Sequence, residues 1–245
     1  MSPRRFVCAV LFALMLLTAQ AQDKIVLDGS TGMLPLAKAL ASAYQQRAPD
    51  VVVELGTGLG TRARLQALAE DRIHVALASH GIQAADILAG NLKVYEVAKS
   101  AVVFAVNHTV PVTRVKEAQV CDLYSGAIRT WAPLGGSEHA IVLLTRPASE
   151  VDAEVIRAKI ACFRELKEAS SARVMLRSGE MAKALALNGV PPTAQNVKSG
   201  RYFLTRDFLL VFKGEPTGPR GQFLDFVLSH EGKRVIEANG AVPLR

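Results

Sequence analysis

Two turns in this chain carry the residue types that hold oxyanions. Asp28-Gly29-Ser30-Thr31 leads from a short apolar run into a helical pattern, and Gly56-Thr57-Gly58-Leu59-Gly60-Thr61 does the same further along. The first backbone N–H groups of a helix lack partners inside it and carry partial positive charge. A Gly-Ser-Thr turn at such a place therefore offers an anion both amide and hydroxyl donors. Ser30 and Thr31 stand at the first turn, Thr57 and Thr61 at the second, and the glycines let backbone approach a ligand closely. The other use of Ser30 or Thr31 is to cap its own helix. A dinucleotide fingerprint is excluded at the second turn, whose sixth position is Thr61 instead of glycine. Catalytic signals are absent from the sequence: it has no Gly-x-Ser-x-Gly, no His-Glu-x-x-His and no acidic spacing for metals, and its histidines, at 74, 80, 108, 139 and 230, are scattered. A binding protein is expected, not an enzyme, with no cofactor and no metal.

The elements that must position these turns follow from apolar spacing. Residues 24–28 read as a buried strand, and 34–47 as a helix whose stripe is Leu34, Leu36, Ala37, Leu40, Ala41 and Tyr44, stopped by Pro49. A second strand at 51–55, a helix carrying Leu65, Leu68 and Ala69, and a third strand at 73–78 repeat the unit. Strand, turn and helix in that order predict parallel strands with crossover helices, hence an α/β first lobe. Further on, 101–106, 140–144 and 203–212 read as strands, and 116–124 and 151–169 as helices. A terminal helical pair at 222–228 and 231–238 ends before Gly240.

The N-terminus reads as a secretory leader: Arg4 and Arg5, an apolar run at 6–17 shorter than the roughly 20 residues that span a bilayer, then Ala19-x-Ala21. Residues 1–21 are therefore expected to be removed. The formal net charge is +7, of which Arg4 and Arg5 belong to the leader, and the remaining basic excess suits an anionic ligand. The charges are spread along the chain, so no nucleic-acid partner is expected. Cys121 and Cys162 survive maturation and enter an oxidising compartment, either bridged or as two buried thiols.

Several segments, in order, resemble periplasmic phosphate-binding proteins, the substrate-binding subunits of phosphate import systems. Asp28-Gly29-Ser30-Thr31 resembles that family's first anion loop. The stretch from Leu123-Tyr124-Ser125-Gly126-Ala127-Ile128-Arg129-Thr130-Trp131 to Gly135-Gly136 is similar to its F-S-G-K-I-x-x-W-x-x-x-G-G stretch. Asn196-Val197-Lys198-Ser199-Gly200-Arg201-Tyr202 resembles the return to the first lobe, and Phe223-Leu224-Asp225-Phe226 through Gly240-Ala241-Val242-Pro243-Leu244 resembles the C-terminus. The resemblance implies a two-lobed α/β fold of the type II periplasmic binding kind, each lobe a mostly parallel sheet flanked by helices. Lobe 1 would comprise 22–100 plus 206–245 and lobe 2 would comprise 101–205, with crossovers near Ser100 and Arg206 as the hinge. It further implies a periplasmic monomer that binds a small inorganic oxyanion in the interlobe cleft and serves an inner-membrane ABC permease.

Two departures bear on the ligand. The family's A-D-I-G-x-x-S-R run aligns with 73–80, which places His74 at the aspartate and Ser79 at the serine. His74 is either an anion contact or a histidine filling a gap at a strand end. The family's R-x-x-x-S-G-T run aligns with Arg146 to Val151: Arg146 and Ser149 remain, but Glu150 and Val151 replace glycine and threonine. A carboxylate beside a bound anion is unfavourable unless it turns away or meets a cation. Arg62 and Arg64 stand where the resemblance has small residues, as a cleft contact or as a solvated helix face. A non-transporting sensor or accessory protein with an eroded site is the alternative function.

Overall fold

The computed structural model describes residues 23–59, 61–79, 82–148, 150–166, 173–174 and 182–244, with backbone alone at 61, 62, 173 and 174. The leader, Gly60, His80, Ser149 and the side chains of Thr61 and Arg62 fall outside the described residues. Among the described residues no helix is long and apolar enough to cross a membrane.

The chain opens with β1 (Asp23–Gly29), α1 (Leu34–Arg47), β2 (Val51–Leu55), α2 (Thr61–Ala69), β3 (Val75–Ala78), α3 (Ala84–Ala89) and β4 (Leu92–Ala101). It continues through β5 (Ala105–Asn107), β6 (Arg114–Val115), α4 (Glu117–Ser125), β7 (Leu144–Thr145), α5 (Val151–Lys159), β8 (Arg173–Val174), β9 (Ala182–Ala184), β10 (Ala186–Leu187) and α6 (Ala194–Lys198). β11 (Thr205–Lys213), α7 (Gly218–Leu228), α8 (His230–Ala238) and β12 (Val242–Pro243) complete it.

β1, β2 and β3 form the parallel set expected from the repeated strand-helix unit, and β4, β11 and β12 extend it antiparallel into a six-stranded mixed sheet of order β12-β4-β11-β3-β1-β2. Both faces of this sheet are covered, so its strands are apolar on alternate positions of both faces. Val75 and Leu77 of β3 join Ile25, Leu27, Leu40, Phe208 and Phe223 in one core, under α1, α7 and α8. Ala76 and Ala78 pack on the other side with Ala67 and Leu68 of α2 and Val211 of β11. Small residues on that second face let α2 lie close to the strands. Within the first core, the Tyr44 ring meets Phe223 edge-on at 5.3 Å between centroids.

A separate core is built from the middle of the chain: Val102, Phe104, Val115, Val120, Leu123, Val155, Ile160, Leu187, Tyr202 and Leu204. Here the described strands pair only as two-stranded ladders, β10 with β6, β5 with β9 and β7 with β8. Cys121 of α4 and Cys162 form a disulfide with their Cα atoms 6.2 Å apart. The Tyr202 hydroxyl donates to the Val102 carbonyl at 2.9 Å, and burial pushes the phenol up to about 12. The two cores are joined by the antiparallel pair β4 and β11, in which Ser100 lies opposite Arg206 and Ala101 opposite Thr205.

Candidate functional site

The C-terminal ends of β1 and β3 lie side by side, as parallel pairing requires, with Gly29 opposite Leu77. Immediately beyond them the Ser30 and Ser79 hydroxyls meet at 3.0 Å, with the two residues only 6% and 2% exposed. Ser30 precedes a single 3-10 turn, and its side chain makes no cap hydrogen bond, so it is not spent on the helix. In a hydroxyl pair one O–H donates to the other, which leaves a second O–H and free lone pairs for a ligand. Gly29 permits this packing. Its φ is +146° and a Cβ there would lie 2.1 Å from the Leu77 carbonyl oxygen.

The second turn is organised by an internal anion. Asp28, 8% exposed, accepts the Gly29 N–H at 2.7 Å and the Gly58 N–H at 2.9 Å on one carboxylate oxygen. Leu59 N–H donates to the Gly29 carbonyl at 2.8 Å, locking the two turns together. A Cβ on Gly56 would fall 1.8 Å from the other Asp28 oxygen, and one on Gly58, whose φ is +104°, 2.5 Å from the Thr31 methyl. These glycines therefore make room for Asp28 and Thr31. The Gly29 and Gly58 amides are thus taken up by Asp28. Thr31 and Thr57 are exposed at the rim, and of Thr61 only the backbone, at the start of α2, is described.

Two guanidinium groups reach this region. Arg206 of β11 lies against Gly32, its Nη1 3.0 Å from where a Cβ would be, and its carbon sits 5.4 Å from the Phe208 ring centroid. The same Nη1 donates to the Asp152 carboxylate of α5 at 3.0 Å. Arg64, in α2, is 2% exposed. A helical side chain leans toward the N-terminus of its helix, here the turn beside the strand ends. Burial pushes the Arg64 guanidinium down, and the Glu154 carboxylate of α5 opposes that by stabilising its charge. The solvated-face reading of Arg64 thus gives way to a buried charge, which a run of alternating Arg and small residues signalled only by position.

The opposite side is acidic. Glu150 caps α5 through its backbone alone, and Asp152 and Glu154 fill the first turn of that helix, where carboxylates are favoured by the helix dipole. Arg146 forms an ion pair with Glu150 at 3.5 Å. Ser149 lies outside the described residues. At its other end α5 is tied to β11 as well: Lys159 Nζ donates to the Phe203 and Thr205 carbonyls at 2.8 and 3.1 Å.

His74 is not part of this cluster. It precedes β3 while Ser79 follows it, so five residue steps along the strand separate the two by about 16 Å. Its Nδ1 accepts the Val26 N–H at 2.9 Å, which requires an unprotonated nitrogen. Burial pushes the imidazole down, Arg220 adds to this, and Asp71 opposes it. Of the two readings of His74, the one described by the structure is a histidine at a strand end that accepts a neighbouring strand's amide. Among the described residues no group of three or more His, Cys, Asp or Glu is placed to hold a metal ion.

Comparison with known proteins adds to this geometry. A model described as a PBP superfamily domain matches residues 17–173. The phosphate-binding protein PstS of Bacillus subtilis is 25% identical over 92% of this chain and 82% of its own length. A Clostridium perfringens structure with bound phosphate, assigned to phosphate ABC transporter substrate-binding proteins, superposes with a TM-score of 0.76 at 23% identity, covering 91% of this chain and all of that one. An ABC-type phosphate transport receptor from Vibrio cholerae gives 0.68 at 22% identity, over 90% of this chain and 100% of that one.

Proposed function

Because the chain belongs to the PBP superfamily, we propose that it is an exported solute-binding protein that captures a small oxyanion, phosphate or a close analogue, between its two lobes. The observation that carries this is the buried Ser30–Ser79 hydroxyl pair at adjacent parallel strand ends, with Arg206 beside it. Strand ends of open parallel sheets are where such folds place ligands. Lobe 1 is residues 22–100 plus 206–245 and lobe 2 is 101–205, and β4 with β11 is the hinge. The protein works in the periplasm as a monomer, after loss of the leader, and delivers its anion to an ABC permease. The phosphate-binding names of the relatives support the ligand class.

The test is a thermal-shift and calorimetry panel of phosphate, arsenate, sulfate, molybdate and tungstate on wild type, Ser30→Ala and Ser79→Ala. A ligand at a hundredfold its Kd stabilises the fold by about 2.7 kcal/mol. Each alanine variant is expected to weaken binding about tenfold or more, the loss of one hydrogen bond to a charged group. No response of wild type to any anion at millimolar concentration overturns the reading. One observation favours a second function, that of a non-transporting sensor or accessory protein: the carboxylates of Glu150, Asp152 and Glu154 stand at the α5 N-terminus, where an anion would need donors.

A further inference from the structure

The cleft brings opposite charges together. On the lobe-1 side are Arg64, 2% exposed, and Arg206, whose guanidinium lies against Gly32 of the first turn. On the lobe-2 side the first turn of α5 carries Asp152, 3.0 Å from Arg206, and Glu154, whose charge stabilises that of Arg64. Asp28 repeats the theme inside lobe 1, where its carboxylate takes two turn amides that would otherwise serve an anion. A guanidinium as deeply buried as that of Arg64 requires a counterion, because an unpaired charge in such a place is strongly destabilising.

We propose that Asp152 and Glu154 are resident counterions, and that an oxyanion binds by exchange, taking Arg206 and Arg64 from these carboxylates. The inference rests on the oxyanion reading for its ligand, and on the Arg206–Asp152 ion pair with the burial of Arg64 opposite the acidic turn of α5 for the counterion role. It assigns Arg64 and Arg206 as the charged ligand contacts and the α5 carboxylates as their competitors.

The arrangement has two physical consequences. Binding is weakened by the cost of parting each guanidinium from its carboxylate, so affinity is set by residues that need never touch the ligand. The carboxylates also tie the lobes together, because α5 packs into the core of the middle segment through Val151 and Val155 and α2 packs on the six-stranded sheet through Ala67 and Leu68, with Arg206 on the connecting strand. Charge balance favours a dianion, which can neutralise both guanidiniums at once.

Asp152→Asn and Asp152→Asn/Glu154→Gln are compared with wild type by calorimetric titration with inorganic phosphate and by small-angle scattering of the unliganded proteins. Asp152→Asn is included because Arg206 keeps solvent access, so its loss of a partner does not threaten folding as loss of the Arg64 partner does. The expected result is at least tenfold tighter phosphate binding in Asp152→Asn, a further gain in the double variant, and a larger radius of gyration for the unliganded double variant. Unchanged or weaker phosphate binding by a folded Asp152→Asn overturns the exchange. If neither wild type nor variant takes up phosphate, the ligand reading fails on its own, and scattering then decides the counterion role. An expanded double variant upholds that role, and an unchanged radius overturns it.

Discussion

Replacing Asp28 tests whether the paired turns are held by an internal carboxylate. In Asp28→Ala the Gly29 and Gly58 N–H groups lose a shared acceptor that stands 2.7 and 2.9 Å away. A hydrogen bond to a charged group contributes about 1.5–3 kcal/mol, and a buried donor left unmade costs about 1–3 kcal/mol. Gly58 is only partly buried, so water can reach it once the turn relaxes. The loss is therefore set at about 3 kcal/mol, which for a chain of this length lowers Tm by about 6–12 °C. Asp28→Asn keeps the accepting oxygen and loses only the charge, so about 1 kcal/mol is expected. Urea denaturation followed by circular dichroism reads both variants. Equal losses in the two would show that charge matters and the acceptor does not. A loss below about 1 kcal/mol in Asp28→Ala would refute the stapled-turn argument altogether.

Gly29→Ala is expected to cost more than about 3 kcal/mol or to prevent folding, because the new Cβ would lie 2.1 Å from the Leu77 oxygen at a φ of +146°; a soluble variant with unchanged Tm would contradict the packing. Reducing the Cys121–Cys162 bridge, which spans 41 residues, is expected to cost up to about 4 kcal/mol, read as a fall in Tm with a phosphine reductant and in the double alanine variant. His74 adds a pH dependence whose sign follows from its depressed folded pKa. Above about pH 6.5 both folded and unfolded forms are neutral and nothing changes. Below it the unfolded chain binds the proton first, so stability falls as pH drops toward the folded value. His74→Gln is expected to flatten that slope below about pH 6.5 in denaturant titrations, and an unaltered slope would count against the Val26 contact.

The first lobe was largely legible because its signals are local. The apolar stripe of α1 and the Pro49 stop place that helix at Leu34–Arg47, as spacing predicts, and β2 spans the expected 51–55. β4 was missed. Its Lys93, Glu96 and Lys99 break the apolar pattern, and its partners are distant in sequence: Lys99 pairs with Asp207 and Lys93 with Glu215. The helix expected over 151–169 ends at Lys159, where Ile160 turns extended and a short 3-10 turn follows. Turn chemistry and the family pattern single out Ser30 and Ser79, whose hydroxyls the fold brings together at 3.0 Å, and Thr31, which stays exposed. Arg206 was read only as a hinge residue, because a single arginine in a strand says nothing of the glycine it lies on. His74 falls at the opposite end of β3 from Ser79, because a residue-by-residue likeness fixes a place in the sequence and not the direction in which the strand separates its two ends.

The antiparallel pairing of β4 with β11 governs how the two halves can move. Ala101 and Thr205 are still partners where the chain leaves the sheet, and Lys159 grips that same end through the Phe203 and Thr205 carbonyls. A ladder of backbone hydrogen bonds resists stretching and sideways slip while it tolerates twist. The lobes therefore keep a fixed separation at their waist and are left with one easy freedom, a rotation about the ribbon. On the function proposed above, closure is a turn of the α5 N-terminus over the strand ends, with the lysine end of that helix as its pivot.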